Sequence, residues 1–345
     1  MGTTMFRKIL HGLAVLAAPM AISMASSAAA QSTLEMVKQR GTLNCGINGQ
    51  LRGFSWQSEP VGWAGFDVDL CKAVAAATLG DATKVTYTPL TAQQRFKELA
   101  DGRIDLLVRN STVTLRRLAD GVEAVSVNFY DGQAFVVPNK LAIQNLSQVS
   151  GGKVCTVRGT THEDNATAWF RARRNRIDLV SFDTNDAMLD AFFASRCMAA
   201  TLDASALASA LIVRNKTADY SILPQMISRE PLGPYVRRGD DQWANIVRWT
   251  FQAMLAAEDL DLRRDNVQSE RRSNDPDVRH LLGVTPGNGK ALGLDEDWAF
   301  NVILQVGNYG ESFERHLGAR SMLKLARGQN ALWRDGGLMY PLPMR

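Results

Sequence analysis

Thr91-Ala-Gln-Gln-Arg-Phe-Lys-Glu-Leu-Ala-Asp-Gly-Arg-Ile-Asp-Leu-Leu-Val108 reads as a helix followed by a strand. Thr91 with Gln94 three positions on matches a capping box, Phe96 and Leu99 face inward at helical spacing, and Gly102 is a stop signal. Ile104 to Val108 is then a short buried strand. Upstream, Thr42 to Ile47 alternates Leu43, Cys45 and Ile47 on one side, as a strand does. Asp67 to Thr78 places Leu70, Val74 and Ala77 at helical spacing before Gly80, and Lys84 to Leu90 is strand-like again. Strand and helix alternate, which calls for an α/β fold with a parallel sheet and right-handed crossovers.

The same order returns downstream. Lys153 to Val157, Leu179 to Phe182 and Cys197 to Leu202 read as strands, and Glu163 to Arg173 and Thr184 to Ser195 as helices. Laid over the first copy, Thr91 falls on Thr184, Phe96 on Leu189, Leu99 on Phe192, Arg103 on Arg196 and Asn110 on Asp203. Asn110 and Asp203 thus lie just beyond equivalent strands, at the carboxyl ends where open α/β sheets bind ligands. Two repeated units imply two lobes with a crevice between them. Gln133 to Lys140 and Glu230 to Val236 are the stretches expected to pass between lobes, the second extended by Pro231 and Pro234. Asp240-Asp241 opens an amphipathic helix, Asp295 to Leu317 reads as a helical pair broken near Gly307, and a Gly- and Pro-rich tail follows.

Composition agrees with two domains: 345 residues, 46% hydrophobic, 21% charged, net charge +4. That charge is too small and too evenly spread for a nucleic-acid partner. Arg7 and Lys8, the apolar stretch Ile9 to Ile22 and Ala28-Ala29-Ala30 form a secretory signal peptide over residues 1–30, with cleavage expected after Ala30. Gly12 and Pro19 leave the apolar run too short for a retained anchor. The four cysteines, Cys45, Cys71, Cys155 and Cys197, then sit in an oxidising compartment. Of three possible pairings, chain order favours Cys45 with Cys71 and Cys155 with Cys197, one bridge per repeat. A zinc site is the alternative, weakened by the absence of CxxC and the scarcity of His.

Thr112, Thr114 and Arg117 follow directly on the strand at Ile104 to Val108, so that two hydroxyls and a guanidinium can converge on one carboxylate. Gly159-Thr160-Thr161 offers more donors where a strand feeds a helix, and Asp203 can accept an ammonium. Each has a plain structural alternative as a helix cap. Together they suit a zwitterion. Catalytic motifs are missing: there is no GxSxG, His162-Glu163 lacks the second His of HExxH, and Gly287-Asn-Gly289-Lys290 is not a P-loop.

With these residues in view the chain resembles the periplasmic solute-binding proteins of ABC importers for polar amino acids, most of all the longer general L-amino-acid-binding branch. The matches are Gly65-Phe-Asp-Val-Asp-Leu70, Asp105 to Arg117, Tyr130-Asp-Gly-Gln133, Gly159-Thr-Thr161, Glu230-Pro-Leu-Gly-Pro234, Gly239-Asp-Asp-Gln-Trp243, Gln305 to Glu311, Asn330-Ala-Leu-Trp333 and Gly336 to Tyr340. The resemblance implies a type II two-lobed fold, each lobe an open mainly parallel sheet flanked by helices. Residues 31–135 plus 236–345 would form lobe I and 139–231 lobe II, with hinges near 133–140 and 230–236. It implies that Arg117 clamps the ligand α-carboxylate with help from Asn110, Thr112 and Thr161, and that Asp203 holds the α-amino group. Val113 stands where the branch usually has Trp, Met198 where it has Asp, and His162 occupies a place near the ligand side chain; all three bear on specificity. The implied partners are an L-amino acid and inner-membrane permease subunits, with a monomeric protein in the periplasm and no cofactor, metal or catalytic residue. The alternatives are a dehydratase of the cyclohexadienyl type on the same fold and a chemoreceptor protein that presents its ligand.

Overall fold

The computed structural model describes residues 1–2 and 31–344. The signal peptide and its cleavage point therefore fall outside the described residues from position 3 to position 30. From Ser32 onward the chain packs as one unit. It begins with α1 (Thr33–Arg40), where Ser32 and Glu35 cap each other's backbone in a capping box. β1 (Leu43–Ile47) follows, then a small antiparallel sheet of β2 (Gln50–Leu51), β3 (Ser55–Ser58) and β4 (Gly62–Ala64). Gly65 opens α2 (Phe66–Leu79) with φ 136°, and a Cβ there would meet the Phe54 carbonyl oxygen at 2.1 Å, so only glycine fits. α2 is buried on nearly every face, which its run of Ala and Val permits.

β5 (Val85–Pro89), α3 (Arg95–Ala100), β6 (Leu106–Leu107) and β7 (Val122–Ala124) complete the first lobe's share of this half of the chain. The capping box at Thr91 is formed on one side: Gln94 Oε1 accepts the Thr91 N–H at 3.2 Å, but the helix starts after Gln94 and the Thr91 hydroxyl turns to the Gln94 side chain. The chain then runs through β8 (Phe129–Asp131), β9 (Gln133–Pro138), β10 (Lys153–Val157), α4 (Thr161–Ala172), β11 (Asp178–Phe182), α5 (Asn185–Phe193), β12 (Ala199–Asp203), α6 (Ala204–Val213) and β13 (Tyr220–Ile222). It returns by β14 (Glu230–Leu232) and β15 (Tyr235–Arg237).

Two five-stranded sheets result, ordered β5-β1-β6-β15-β7 and β11-β10-β12-β9-β13. In each, three strands are parallel and a fourth, β15 or β9, enters antiparallel beside the third. The two lobes thus share one topology, and each fourth strand adjoins a crossing of the chain. This moves the expected first crossing. Gln133–Pro138, read as part of a connector, is a fully buried interior strand of the second sheet. The passing segments are instead β8 and β14, which pair with each other as a two-stranded antiparallel ribbon, Asp131 opposite Glu230. The sequence Gln-Ala-Phe-Val-Val-Pro is apolar enough to sit inside a sheet, and that decides its place.

Cys45–Cys71 ties β1 to α2, and Cys155–Cys197 ties β10 to the segment before β12. α7 (Asp241–Asp259), capped by Asp240, is followed by three short helices, α8 (Val267–Glu270), α9 (Pro276–Leu281) and α10 (Asn288–Leu292), then by α11 (Trp298–Gln305) and α12 (Tyr309–His316). Trp243, Trp298, Tyr309 and Phe313 are fully buried among these helices and α2. Asp69 of α2 accepts hydrogen bonds from Ser312, Arg315 and His316, joining the two ends of the chain. The tail reaches the ribbon as well: the Asn330 amide bonds the Tyr130 N–H at 2.6 Å and the Tyr130 carbonyl at 3.0 Å. Among the described residues no helix is long and apolar enough to cross a membrane.

Candidate functional site

The carboxyl end of β6 runs into Arg109 and Asn110, the latter in the left-handed region at φ 45°, a conformation Asn tolerates better than most residues. That turn aims the next residues back across the end of the sheet, where Val113 N–H bonds Pro231 O and Gly233 N–H bonds Ser111 O. Arg117 comes from a short 3-10 helix, Leu115–Asp120. Its guanidinium is buried, lies 4.9 Å over the Phe96 ring and donates to the Thr112 carbonyl, which also accepts the Tyr235 hydroxyl at 2.7 Å.

The second lobe contributes the start of α4 and the end of β12. His162 Nε2 lies 2.9 Å from Asp203 Oδ1, and both are buried. Burial disfavours a charged imidazole, yet the Asp203 carboxylate more than offsets this, and with Glu230 and Asp131 nearby the His162 pKa is raised. Burial, followed by the charge of Asp203, pushes the Asp131 carboxyl up to about 7 against the Ser205 and Gly132 hydrogen bonds. Gln133, inside β9, holds the His162 carbonyl at 3.0 Å and so fixes the first turn of α4.

Side chains of both lobes meet in a small cavity between them. Asn110, Thr112, Arg117, Thr160, Thr161, His162 and Asp203, which the sequence singled out, all line it. Thr114 does not: its carbonyl accepts the Arg117 N–H at 3.3 Å and its side chain stays outside the lining. Val113 and Met198 are also absent from the lining. Val113 packs toward Gly233, and Met198 joins the core of the second lobe beside Gly152. Of the three departures from the family pattern, only His162 reaches the cavity.

The sequence reading missed Asn48, Arg95, Arg109 and Asn185, which line the same cavity. Asn48 and Arg109 follow the ends of β1 and β6, so the rule that found Asn110 applied to them equally. Arg95 is 3% exposed with its Nε unpartnered. Burial, then repulsion from Arg109 and Arg117, pushes its guanidinium well below the usual range, and Arg109 is held down to about 10 by burial. A guanidinium does not lose its proton in a protein. The physical content is a cleft short of negative charge on its first-lobe side. Asn48, Arg109 and Asn185 also border an adjoining, wider opening lined by Gln50, Thr91, Asp183 and Thr184.

Glu230 was expected only as part of a connector. It is 1% exposed, and its two carboxylate oxygens accept from Thr112, Thr161, Asn165 and Ser228. Donor atoms of His162, Asp203 and Glu230 lie within 4.8 Å of one another. A divalent ion would have to displace the His162–Asp203 bond and the donors on Glu230, so this arrangement is a hydrogen-bonded cluster. Across the cavity the lobes touch: Thr112 and Thr161 hydroxyls are 3.3 Å apart, Gln93 bonds the Arg158 carbonyl, and Ser209 bonds the Arg52 carbonyl.

Two lobes of one topology closing a charged cleft, joined by a thin ribbon on which they can swing, define a solute-binding protein. The chain belongs to the bacterial extracellular solute-binding proteins, family 3, which residues 43–264 match. It is similar to the general L-amino acid-binding periplasmic protein AapJ of Rhizobium johnstonii, 44% identical over 327 residues covering 94% of this chain and 96% of that protein. It is likewise similar to the glutamate/glutamine/aspartate/asparagine-binding protein BztA of Rhodobacter capsulatus, 45% identical over 94% of this chain and 96% of that one. Among solved structures, a periplasmic binding protein from Brucella ovis with glutathione bound superposes with a TM-score of 0.89 at 43% identity, covering 91% of this chain and all (100%) of that chain. These relatives are binding proteins, not enzymes.

Proposed function

We propose that the protein is the periplasmic substrate-binding component of an ABC importer, which closes on an L-amino acid and delivers it to inner-membrane permease subunits as a monomer. The observation that carries this reading is that Arg117 and Asp203, from opposite lobes, line one cavity. Arg117, with the unbonded N–H groups at the start of α4, takes the α-carboxylate, and Asp203 takes the α-ammonium. Neither lobe can complete a zwitterion site alone, so ligand contacts made only in the closed form shift the population toward closure. Arg95, Arg109, Asn48 and Asn185 favour a polar or acidic side chain, and the names of the relatives support that class. The adjoining chamber favours a second, longer occupant, a γ-glutamyl peptide such as glutathione, which the Brucella ovis protein carries.

Lobe I is assigned to the residues before β8 and after β14, including α7 to α12, and lobe II to those between. Export with cleavage after Ala30 is supported by the Arg7-Lys8 and Ala28-Ala29-Ala30 signals. The N-terminal sequence of secreted protein checks it. The function is tested by thermal shift of refolded protein against the L-amino acids, their D-forms, dicarboxylates and glutathione, followed by calorimetry on Arg117→Ala. Removing one partner of a buried charged pair costs roughly 2–5 kcal/mol, about 30-fold or more in Kd. Retained affinity in Arg117→Ala, or no ligand among those tested, would overturn the reading.

A further inference from the structure

Glu230 lies on the ribbon between the lobes and does not line the cavity, yet it holds two residues that do. Its Oε2 accepts the Thr112 hydroxyl at 2.6 Å and the Thr161 hydroxyl at 2.8 Å. Its Oε1 accepts the Asn165 amide N–H at 2.9 Å and the Ser228 hydroxyl. A carboxylate has about four lone-pair positions, and here four donors occupy them. A threonine hydroxyl has one proton and two lone pairs. With both protons directed to Glu230, Thr112 and Thr161 can turn only lone pairs to the cavity. Their mutual distance of 3.3 Å is longer than either bond to Glu230 and does not compete for those protons.

We propose that Glu230 is a positioning residue that sets Thr112 and Thr161 as hydrogen-bond acceptors and thereby selects ligands carrying an α-ammonium group. This rests on the amino-acid-binding reading above and deepens it. An ammonium group can only donate, so it fits beside two acceptor hydroxyls and Asp203. A carboxylate can only accept, so these side chains do not serve it. The resemblance assigns Thr112 and Thr161 to the carboxylate; the hydrogen-bond directions move their hydroxyls to the ammonium and leave the carboxylate to Arg117 and backbone N–H groups. The buried negative charge of Glu230, one hydrogen bond removed from the ligand, acts in the same direction.

Glu230→Gln keeps the shape and replaces one acceptor oxygen by an amide that donates. With its NH2 toward Thr112 and Thr161 a threonine proton must turn toward the cavity, whereas with its NH2 toward Asn165 and Ser228 both threonines keep their order, so valine variants of the two threonines are measured beside it. The test compares binding of the best L-amino acid with that of its 2-hydroxy acid, by calorimetry, in wild type and Glu230→Gln. A ligand hydroxyl both donates and accepts and meets either orientation, whereas an ammonium does not. Affinity for the amino acid should fall about tenfold or more, while affinity for the 2-hydroxy acid stays within about threefold. Equal losses for both ligands would reduce Glu230 to a structural role, and an unchanged preference in Glu230→Gln and in both valine variants would overturn the proposal. Thr112→Val and Thr161→Val, isosteric and without the hydroxyl, should show the same selective loss and decide the matter should Glu230→Gln not fold. Wild type that binds no amino acid at all would remove the functional reading itself; wild type that binds, with an unmoved preference in the variants, removes only the role of Glu230.

Discussion

Asp67 and Asp69 sit two residues apart on the first turn of α2 and have opposite fates. Burial pushes the Asp67 carboxyl up to about 8, against the Asn110 backbone N–H and the charge of Arg109, and its Oδ2 has no partner. Burial also works against the Asp69 charge, but His316 and Arg315 outweigh it and hold that carboxyl well below the usual carboxylate range. For Asp67 the folded state keeps its proton to about pH 8, whereas the unfolded chain loses it near pH 3.8. Between these values the unfolded state binds fewer protons, so stability falls as pH rises, by about 1.36 kcal/mol per pH unit. From pH 5 to pH 8 the loss amounts to roughly 3–4 kcal/mol, since the unfolded carboxyl is already ionised at pH 5 and the folded one is half ionised at pH 8. Asp67→Asn removes this dependence. Guanidinium unfolding followed by tryptophan fluorescence at pH 5, 6.5 and 8 should show the variant gaining on wild type by that amount across the range. A difference that stays constant with pH would refute the reasoning. Asp69→Asn is the control of opposite sign: its stabilising contribution is fully present above the unfolded carboxyl pKa, so the variant's deficit is flat from pH 5 to 8 and shrinks only in acid.

Three further outcomes are expected. Because the His162 imidazolium competes with the ligand ammonium for Asp203, and its pKa is raised, amino-acid affinity measured by calorimetry should improve as pH rises through the upper His range; in His162→Gln only the smaller part carried by Asp131 should remain. The bridges Cys45–Cys71 and Cys155–Cys197 close separations of 26 and 42 residues, worth about 3.5 and 4 kcal/mol in the chain-entropy account; double Cys→Ala variants should lose comparable stability in denaturant, and unchanged midpoints would contradict this. Asn330→Ala leaves the Tyr130 N–H and carbonyl without their side-chain partner, so it should cost about 2 kcal/mol and raise hydrogen exchange at Tyr130.

Periodic elements were legible because their cause is local. Leu43, Cys45 and Ile47 alternate, Thr184 caps α5, and the two copies of strand, helix and strand reappear as two sheets of one order. The repeat also carried Asn110 onto Asp203, and both reach the cavity. The errors came where the deciding partner is distant in sequence. Gln133–Pro138 looked like a connector because nothing nearby pairs with it; its neighbours are Ala200–Asp203 and Tyr220–Ile222. Thr114 looked equivalent to Thr112 because hydroxyls two apart share a face in an extended strand, but the chain turns into a 3-10 helix at Leu115 and separates them.

Glu230 shows how far this reaches into function. Nothing in Glu-Pro-Leu-Gly-Pro marks a carboxylate that will be buried, since its donors come from 118, 69 and 65 positions away and from Ser228 beside it. The ribbon explains why such a group belongs there. β8 and β14 are the only strands described that pass between the lobes as a pair, so a side chain on them can touch both lobes without belonging to either. Asp131, opposite Glu230, bonds Ser205 at the start of α6, and Tyr130 beside it is held by Asn330 from the tail. A change in ribbon geometry on opening therefore acts at once on the acceptor order of Thr112 and Thr161 and on the acidic group behind Asp203. Glu230 holds one hydroxyl from each lobe at the point where the lobes touch, so the acceptor order of Thr112 and Thr161 depends on both lobes being in place.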